Sequence, residues 1–336
     1  MRYWLLAPIF FSCLTFGPAS AQDNESTIEQ IGSGHQAASE QENSFSYFHG
    51  LNRSEISQDG SNHTANVHQA GVEMRNISAI EQLGTQNSAY ISQTRALTDN
   101  TSTVIQDGTE NRAAIYQTGE STGNNSWLNQ VGSNNVADVQ QNGLFGGSVS
   151  TILQHGDDNT TSTLQNGISP ANTSSVTIHG SANTVTTVQG YSSISNSSSI
   201  EIGGNQNAVN LNQYADHGIS TSSAKLTGDL NQVDVDQASF SSSNSSVVDV
   251  AGSSNSVTIQ QNAEALGNRS SVEATGNDNT IVVQQLNFGN PLPASNESAA
   301  TIIGASNDVA IAQGEGQNSS AISVSGSGNT ARIVQN

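Results

Sequence analysis

The chain has 336 residues and a formal net charge of −20, with only 11% of residues charged and 5% aromatic. So acidic a balance excludes the basic footprint of a nucleic-acid binder and argues against docking on an anionic membrane surface. By composition alone, rich in Ser, Asn, Gln, Thr and Gly, the chain would pass for a disordered one, but a strict internal period argues otherwise, because disorder sets no register.

Taken in order, residues 1–21 read as a secretory signal peptide: Arg2 gives a positive start, Trp4 to Phe16 is mostly apolar, and Ala19-Ser20-Ala21 fits the small-residue cleavage site. Cys13, the single cysteine, lies inside this segment, so the mature chain is expected to hold no thiol. Phe10-Phe11-Ser12 before it is a poor lead-in for lipidation.

Residues 22–336 form one repeat array. Its framework turns on a glycine that recurs thirteen times, from Gly32 through Gly60, Gly84, Gly108 and Gly132 to Gly326, and between Gly60 and Gly276 the step is always 24 residues. Six residues before each glycine stands Ser (Ser54, Ser78, Ser102 and Ser126 among them), and nine after it stands Gln (Gln69, Gln93, Gln117 and Gln141, through to Gln335). Four before it the residue is apolar, as in Val104 and Leu128. Three after it eleven units carry Asn, including Asn87, Asn111 and Asn135, while His35 and His63 take that place in the first two. A period of this length marks a solenoid or an array.

Each unit holds two runs of alternating pattern, such as Asn100, Ser102, Val104 and Gln106, then Asn111, Ala113, Ile115 and Gln117. Alternation with period two predicts half-buried strands. The glycine supplies the turn between them, and Gly119 and Gly123 suit a second turn before the next unit. The expected fold is therefore all-β: a parallel, in-register β-solenoid of thirteen two-stranded coils, roughly 60 Å long at about 4.8 Å per coil. If the chain folds back at the glycine itself, Val104 faces Ala113 and Ser102 faces Ile115. Stacked Asn and Gln side chains can satisfy one another from coil to coil, and a slip of one residue would set Gln against an apolar column.

The halves differ. Two before the glycine, the first half to about residue 165 carries Gln (Gln58, Gln82, Gln106 and Gln130 among them), whereas residues 166–336 carry Ile178, Ile202, Leu226 and other apolar residues. The second half should have the drier core and exchange its amide hydrogens more slowly. Insertions fall between coils, one with Phe45, Tyr47 and Phe48, another with Phe288, Pro291 and Pro293, and read as surface loops. The first coil begins near Asn24 and the last ends at Gln335, with no evident cap, so both ends are expected to present bare strand edges.

The unit Gln82-Leu83-Gly84-Thr85-Gln86-Asn87-Ser88-Ala89-Tyr90-Ile91-Ser92-Gln93 and its neighbour from Gln106 to Gln117 resemble the curlin repeat, Gln-x-Gly-x-x-Asn-x-Ala-x-x-x-Gln, of the bacterial amyloid fibres called curli. The resemblance covers nearly the whole mature chain. It implies a secreted fibre subunit on the surface of a Gram-negative bacterium, serving adhesion, aggregation and biofilm matrix. The implied partners are further copies of itself, a nucleating subunit and an outer-membrane export pore. The array is longer than is usual for that family, and the column eight before the glycine is mostly Asn where the family typically has Ser.

No motif points to catalysis, a metal, a cofactor or a small-molecule substrate. There is no Gly-x-Ser-x-Gly elbow, Asp157 and Asp158 lie at a turn, and outward carboxylates such as Asp234 and Asp236 read as guards against sideways aggregation. His155 and His179 fall on equivalent outward positions about 5 Å apart, without the further ligands that zinc needs. The Asn-x-Ser sequons, such as Asn52-Arg53-Ser54, arise from two repeat columns two residues apart. The expected function is thus structural. The alternative is a monomeric surface solenoid acting as an adhesin or ice binder, although the outward residues Gln36, Thr64, Ser88, Arg112 and Val136 lack the regularity that ice requires.

Overall fold

The computed structural model describes residues 24–43, 52–71, 75–94, 99–119, 123–144, 146–168, 171–190, 195–240, 243–264, 266–287 and 295–335. Residues 1–21, where a signal peptide is expected, and the aromatic and proline residues of the two insertions lie outside them. The described residues form strands, turns and bends, with no helix. The coil around Gly108 is typical: strand Thr101–Thr109, a short arc, then strand Arg112–Thr118.

The first strands of all coils make one 13-stranded parallel sheet and the second strands another. Pairing is in register throughout: Gly60 lies against Gly84, Gly84 against Gly108, and Gly108 against Gly132. Register also survives the irregular steps, since Ser26 pairs with Ser54, Ser270 with Ser298 and Ser298 with Ser320. Length differences are therefore absorbed between strands, where no ladder has to match. This is the β-solenoid that the period demands.

Inward positions alternate along both strands. Asn100, Ser102, Val104, Gln106, Asn111, Ile115 and Gln117 are 0% exposed, and Ala113 is 2% exposed. The apolar members run as vertical stripes, Ile80, Val104, Leu128 and Ile152 in one sheet and Ile91, Ile115 and Val139 in the other. Each large aliphatic side chain so buried contributes about 1.5–3 kcal/mol. In the second half Ile178, Ile202, Leu226 and Val250 replace the glutamines and are equally buried.

The facing pairs differ from the simple hairpin expectation. Ser102 Oγ donates to Gln117 Oε1 at 2.8 Å, and Gln154 Nε2 donates to Thr161 Oγ1 at 2.8 Å. Ser102 therefore faces Gln117, and Val104 faces Ile115 and not Ala113. The centre of the arc falls after the glycine. Its cause is a second left-handed residue two places on: Glu110, Asn134, Ala182 and Leu230 have φ of 57°, 56°, 57° and 60°. Residues with a Cβ adopt this region at a cost of roughly 1–2 kcal/mol. Leu230 is 54% exposed, so its side chain contributes little packing. Leu230→Gly is expected to stabilise the protein by about 0.5–1 kcal/mol, the relief of strain outweighing the extra chain entropy of glycine. A higher midpoint in urea is the check.

Candidate functional site: amide ladders and end faces

The repeated polar columns hold hydrogen bonds that run from coil to coil. In the glutamine column nine after the glycine, Gln69 Nε2 donates to Gln93 Oε1 at 2.9 Å, Gln93 to Gln117 at 2.9 Å, and Gln117 to Gln141 at 2.8 Å. The chain starts at Gln41 and continues without a gap to Gln313, which donates to Gln335 at 3.1 Å. The second amide hydrogen goes to the facing strand, as Gln117 Nε2 reaches Thr101 O at 3.1 Å. A buried primary amide is affordable here because every interior one is satisfied on both sides.

The column two before the glycine behaves likewise in the first half. Gln30 donates to Gln58, Gln58 to Gln82, Gln82 to Gln106, Gln106 to Gln130 and Gln130 to Gln154, all at 2.7–2.9 Å. It ends at Gln154, whose Nε2 turns to the hydroxyl of Thr161 before the apolar column begins. Thr161 stands where earlier coils have Ala113 and Ala137, so the one polar replacement falls where the ladder needs a terminator.

The asparagines lock the arc. Asn87 Oδ1 accepts the N–H of Asn111 at 3.0 Å, and Asn111 Oδ1 accepts that of Asn135 at 3.0 Å. Their Nδ2 groups donate to the glycine carbonyl of the next coil, Asn111 to Gly132 O and Asn135 to Gly156 O, both at 2.7 Å. The glycines complete this lock. Gly84, Gly108 and Gly132 have φ of 97°, 129° and 122°. A Cβ on Gly108 would lie 2.0 Å from Gly132 O, and one on Gly60 1.9 Å from Gly84 O.

The serine column is not a ladder of its own. Ser78 and Ser102 accept from Gln69 and Gln93 at 3.2 and 3.1 Å, whereas the hydroxyls of Ser54 and Ser126 meet no partner among the described residues. Direct serine bonds from coil to coil are isolated, Ser198 Oγ donating to Ser174 Oγ at 3.1 Å and Ser222 meeting Ser246 at 2.8 Å, so the column serves mainly as a small neighbour for the glutamine head. The asparagines eight before the glycine form interrupted runs: Asn124 N donates to Asn100 Oδ1 and Ser148 N to Asn124 Oδ1, both at 3.0 Å, while the Asn76 side-chain amide meets no partner among the described residues.

In the first two coils histidine does the work of asparagine. His63 is 0% exposed; its Nε2 lies 3.1 Å from Asp59 O, and its Nδ1 accepts the N–H of Asn87 at 3.2 Å. These partners fix the neutral Nε2–H tautomer, and His35 stacks on it with centroids 5.1 Å apart. Burial holds the His63 pKa below its usual 6.5, as does the charge of His35, while the Asp59 carbonyl and carboxylate and the Gly84 backbone oppose the shift. The folded state therefore binds fewer protons than the unfolded chain just below pH 6.5. Stability from this residue is full above that value and falls as pH drops toward the lowered folded pKa. Wild type is expected to lose more thermal stability than His63→Asn between about pH 7.5 and about pH 5, which melting curves of the two proteins would show.

Elsewhere the surface is sparse. His155 and His179 meet edge to face with centroids 5.2 Å apart, and among the described residues no three His, Cys, Asp or Glu side chains converge. A hollow of about 860 Å³ lies beside Tyr214, Phe240, Asn262 and Glu264.

The two buried glutamine ladders point the same way, with each Nε2 aimed toward the last coil, whereas the exposed Gln284 Nε2 donates back to Gln260 Oε1 at 2.8 Å. At the first coil Gln30 and Gln41 hold their Oε1 atoms outward, and Ile28 is 45% exposed. At the last coil Gln335 Nε2 contacts Ser319 O at 3.1 Å and keeps a second hydrogen. In the full-length glutamine column the first coil thus offers an acceptor and the last a donor, while the asparagine Oδ1 atoms face the other way and accept from the following coil. No protein-family model matches the chain, and no curated protein matches its sequence.

Proposed function

We propose that this chain is a structural subunit of a secreted, curli-like fibre that grows by adding coils end to end, and that it serves adhesion, aggregation and biofilm matrix at a bacterial cell surface. One observation supports this above the rest: the full-length glutamine ladder has a direction, so the Gln41 acceptor on the first coil complements the Gln335 donor on the last. The work is done by stacking and not by catalysis. Other copies are the main partner, with a nucleating chain and an export pore as further ones.

The test starts from the mature chain held unfolded in denaturant. After dilution, growth of thioflavin-positive fibres that preformed seeds accelerate is the expected result. A monomer stable for days with seeds present would overturn it. That outcome would favour a monomeric adhesin, a reading for which the hollow beside Tyr214 and Phe240 speaks, since two aromatic side chains and the Asn262 amide share it.

A further inference from the structure

The end faces match each other in all but one amide column, and that exception bears on partner choice. Suppose copies stack as proposed above, on which this inference rests. The last coil of one copy then meets the first coil of the next. Gln335 has a hydrogen for Gln41 Oε1. Asn329 Oδ1 can accept the His35 N–H, just as Asn307 Oδ1 accepts that of Asn329 at 3.0 Å. Its Nδ2 can reach Gly32 O, as Asn307 reaches Gly326 O at 2.9 Å. Asn318 comes to lie against Asn24, continuing the column in which Asn318 N donates to Asn296 Oδ1 at 3.3 Å.

The exception is the column two before the glycine. Gln30 Nε2 is committed to Gln58 at 2.7 Å, which leaves its Oε1 facing the junction. The last coil presents Val324 there, an apolar side chain with no hydrogen to give. Where the same column ends inside the molecule the orphan is an amide N–H, and the Thr161 hydroxyl accepts from Gln154 Nε2 at 2.8 Å. At the junction the equivalent places hold Ala37 and Ala331, which carry no hydroxyl. Burying the Gln30 carbonyl without a donor opposes the contact.

We propose that Gln30 makes the face of the first coil select, over the last coil of a second copy, a parallel coil that carries glutamine two positions before its turn glycine. The favoured partner is thus the end of another chain with a glutamine ladder, and growth from this chain alone proceeds through a weakened junction.

The critical concentration for fibre growth reports the junction equilibrium directly, and a double-mutant cycle on the full mature chain isolates the pair. Val324→Gln with Ala331→Thr converts the last coil to the glutamine type, the threonine hydroxyl donating to the introduced Oε1 and leaving Nε2 for Gln30 of the next copy. Gln30→Met instead removes the amide from the exposed first coil. Each is expected to lower the critical concentration about ten-fold, a gain of about 1.4 kcal/mol. Combined in one chain they restore a mismatch, methionine against glutamine, and the critical concentration should return toward wild type. Gains that add in the combined variant, or a Gln30→Met protein that assembles no better than wild type, would overturn the inference. Because Gln30→Met sits on an exposed end coil, this arm stands even if the other variant fails to fold. Gly326→Ala tests the underlying reading: its Cβ would collide with the Gly32 carbonyl of an incoming copy, as interior ones do, so continued end-to-end growth of that variant would overturn stacking itself.

Discussion

Gly156→Ala is expected to abolish the folded stack, whereas Gly326→Ala should leave the monomer folded. The two glycines hold the same place in the repeat, with φ of 120° and 113°. A Cβ on Gly156 would stand 2.0 Å from Gly180 O and 2.7 Å from its carbon. Separating the coils enough to admit a methyl group would break the strand pairing on both sides of the arc and pull Asn159 Nδ2 from Gly180 O, now 2.7 Å away. The methyl meets backbone, not the yielding tip of a side chain. A loss above about 4 kcal/mol is expected, enough to unfold many domains. At Gly326 the nearest atom to such a Cβ is Asn329 Nδ2 at 3.3 Å, because no further coil covers it. Only the backbone strain of roughly 1–3 kcal/mol remains. Circular dichroism through a urea titration should show the first variant unfolded in buffer and the second close to wild type.

The second large effect is expected at Gln117. Its carbonyl accepts from Gln93 and Ser102, and its amide donates to Gln141 and to Thr101 O. Gln117→Leu keeps the volume and removes all four contacts. Gln141 Oε1 and Thr101 O then lose donors in a site that water does not reach, each at about 1–3 kcal/mol. The sum is about 2–5 kcal/mol of lost stability, larger than for an exposed glutamine. Gln335→Leu provides the contrast. It breaks only the terminal contact with Gln313 and the bond to Ser319 O, and should cost under about 1 kcal/mol. Equal destabilisation by the two substitutions would show that the column contributes through packing and not through its hydrogen bonds.

The stack and its register were legible in the sequence because identical residues recur at the same spacing, and in a parallel stack that spacing is the geometry. The glutamine and asparagine ladders followed, since Gln117 and Asn111 alternate in phase with Val104 and Ile115 on buried faces. The arc was not legible. Its second left-handed position holds Glu110, Asn134, Ala182 and Leu230, so no shared side chain marks it, and the backbone alone sets it. That shift of the turn centre is what moved Val104 from Ala113 to Ile115. The asparagines eight before the glycine looked like a departure from the curlin pattern; in the fold they stitch the opposite edge of the coil, Asn100 to Asn124 and Asn244 to Asn268. Thr161 was overlooked because its role exists only in contact with Gln154, a residue seven places away in the chain. The serines contribute unevenly: Ser198 bonds to Ser174 at 3.1 Å, whereas the hydroxyls of Ser54 and Ser126 meet no partner among the described residues and there only their small volume beside glutamine counts.

The one-way orientation of the buried glutamine side chains has a consequence for any filament formed by the proposed stacking. Each amide carries a dipole along the long axis, and aligned dipoles add, as they do in a helix. The molecule is then electrically lopsided from tip to tip, and repeating it lengthwise preserves the lopsidedness. Two such filaments lying side by side lower their energy by pointing in opposite senses. A bundle should therefore contain both polarities in near-equal number, whatever the sense in which any single filament lengthens.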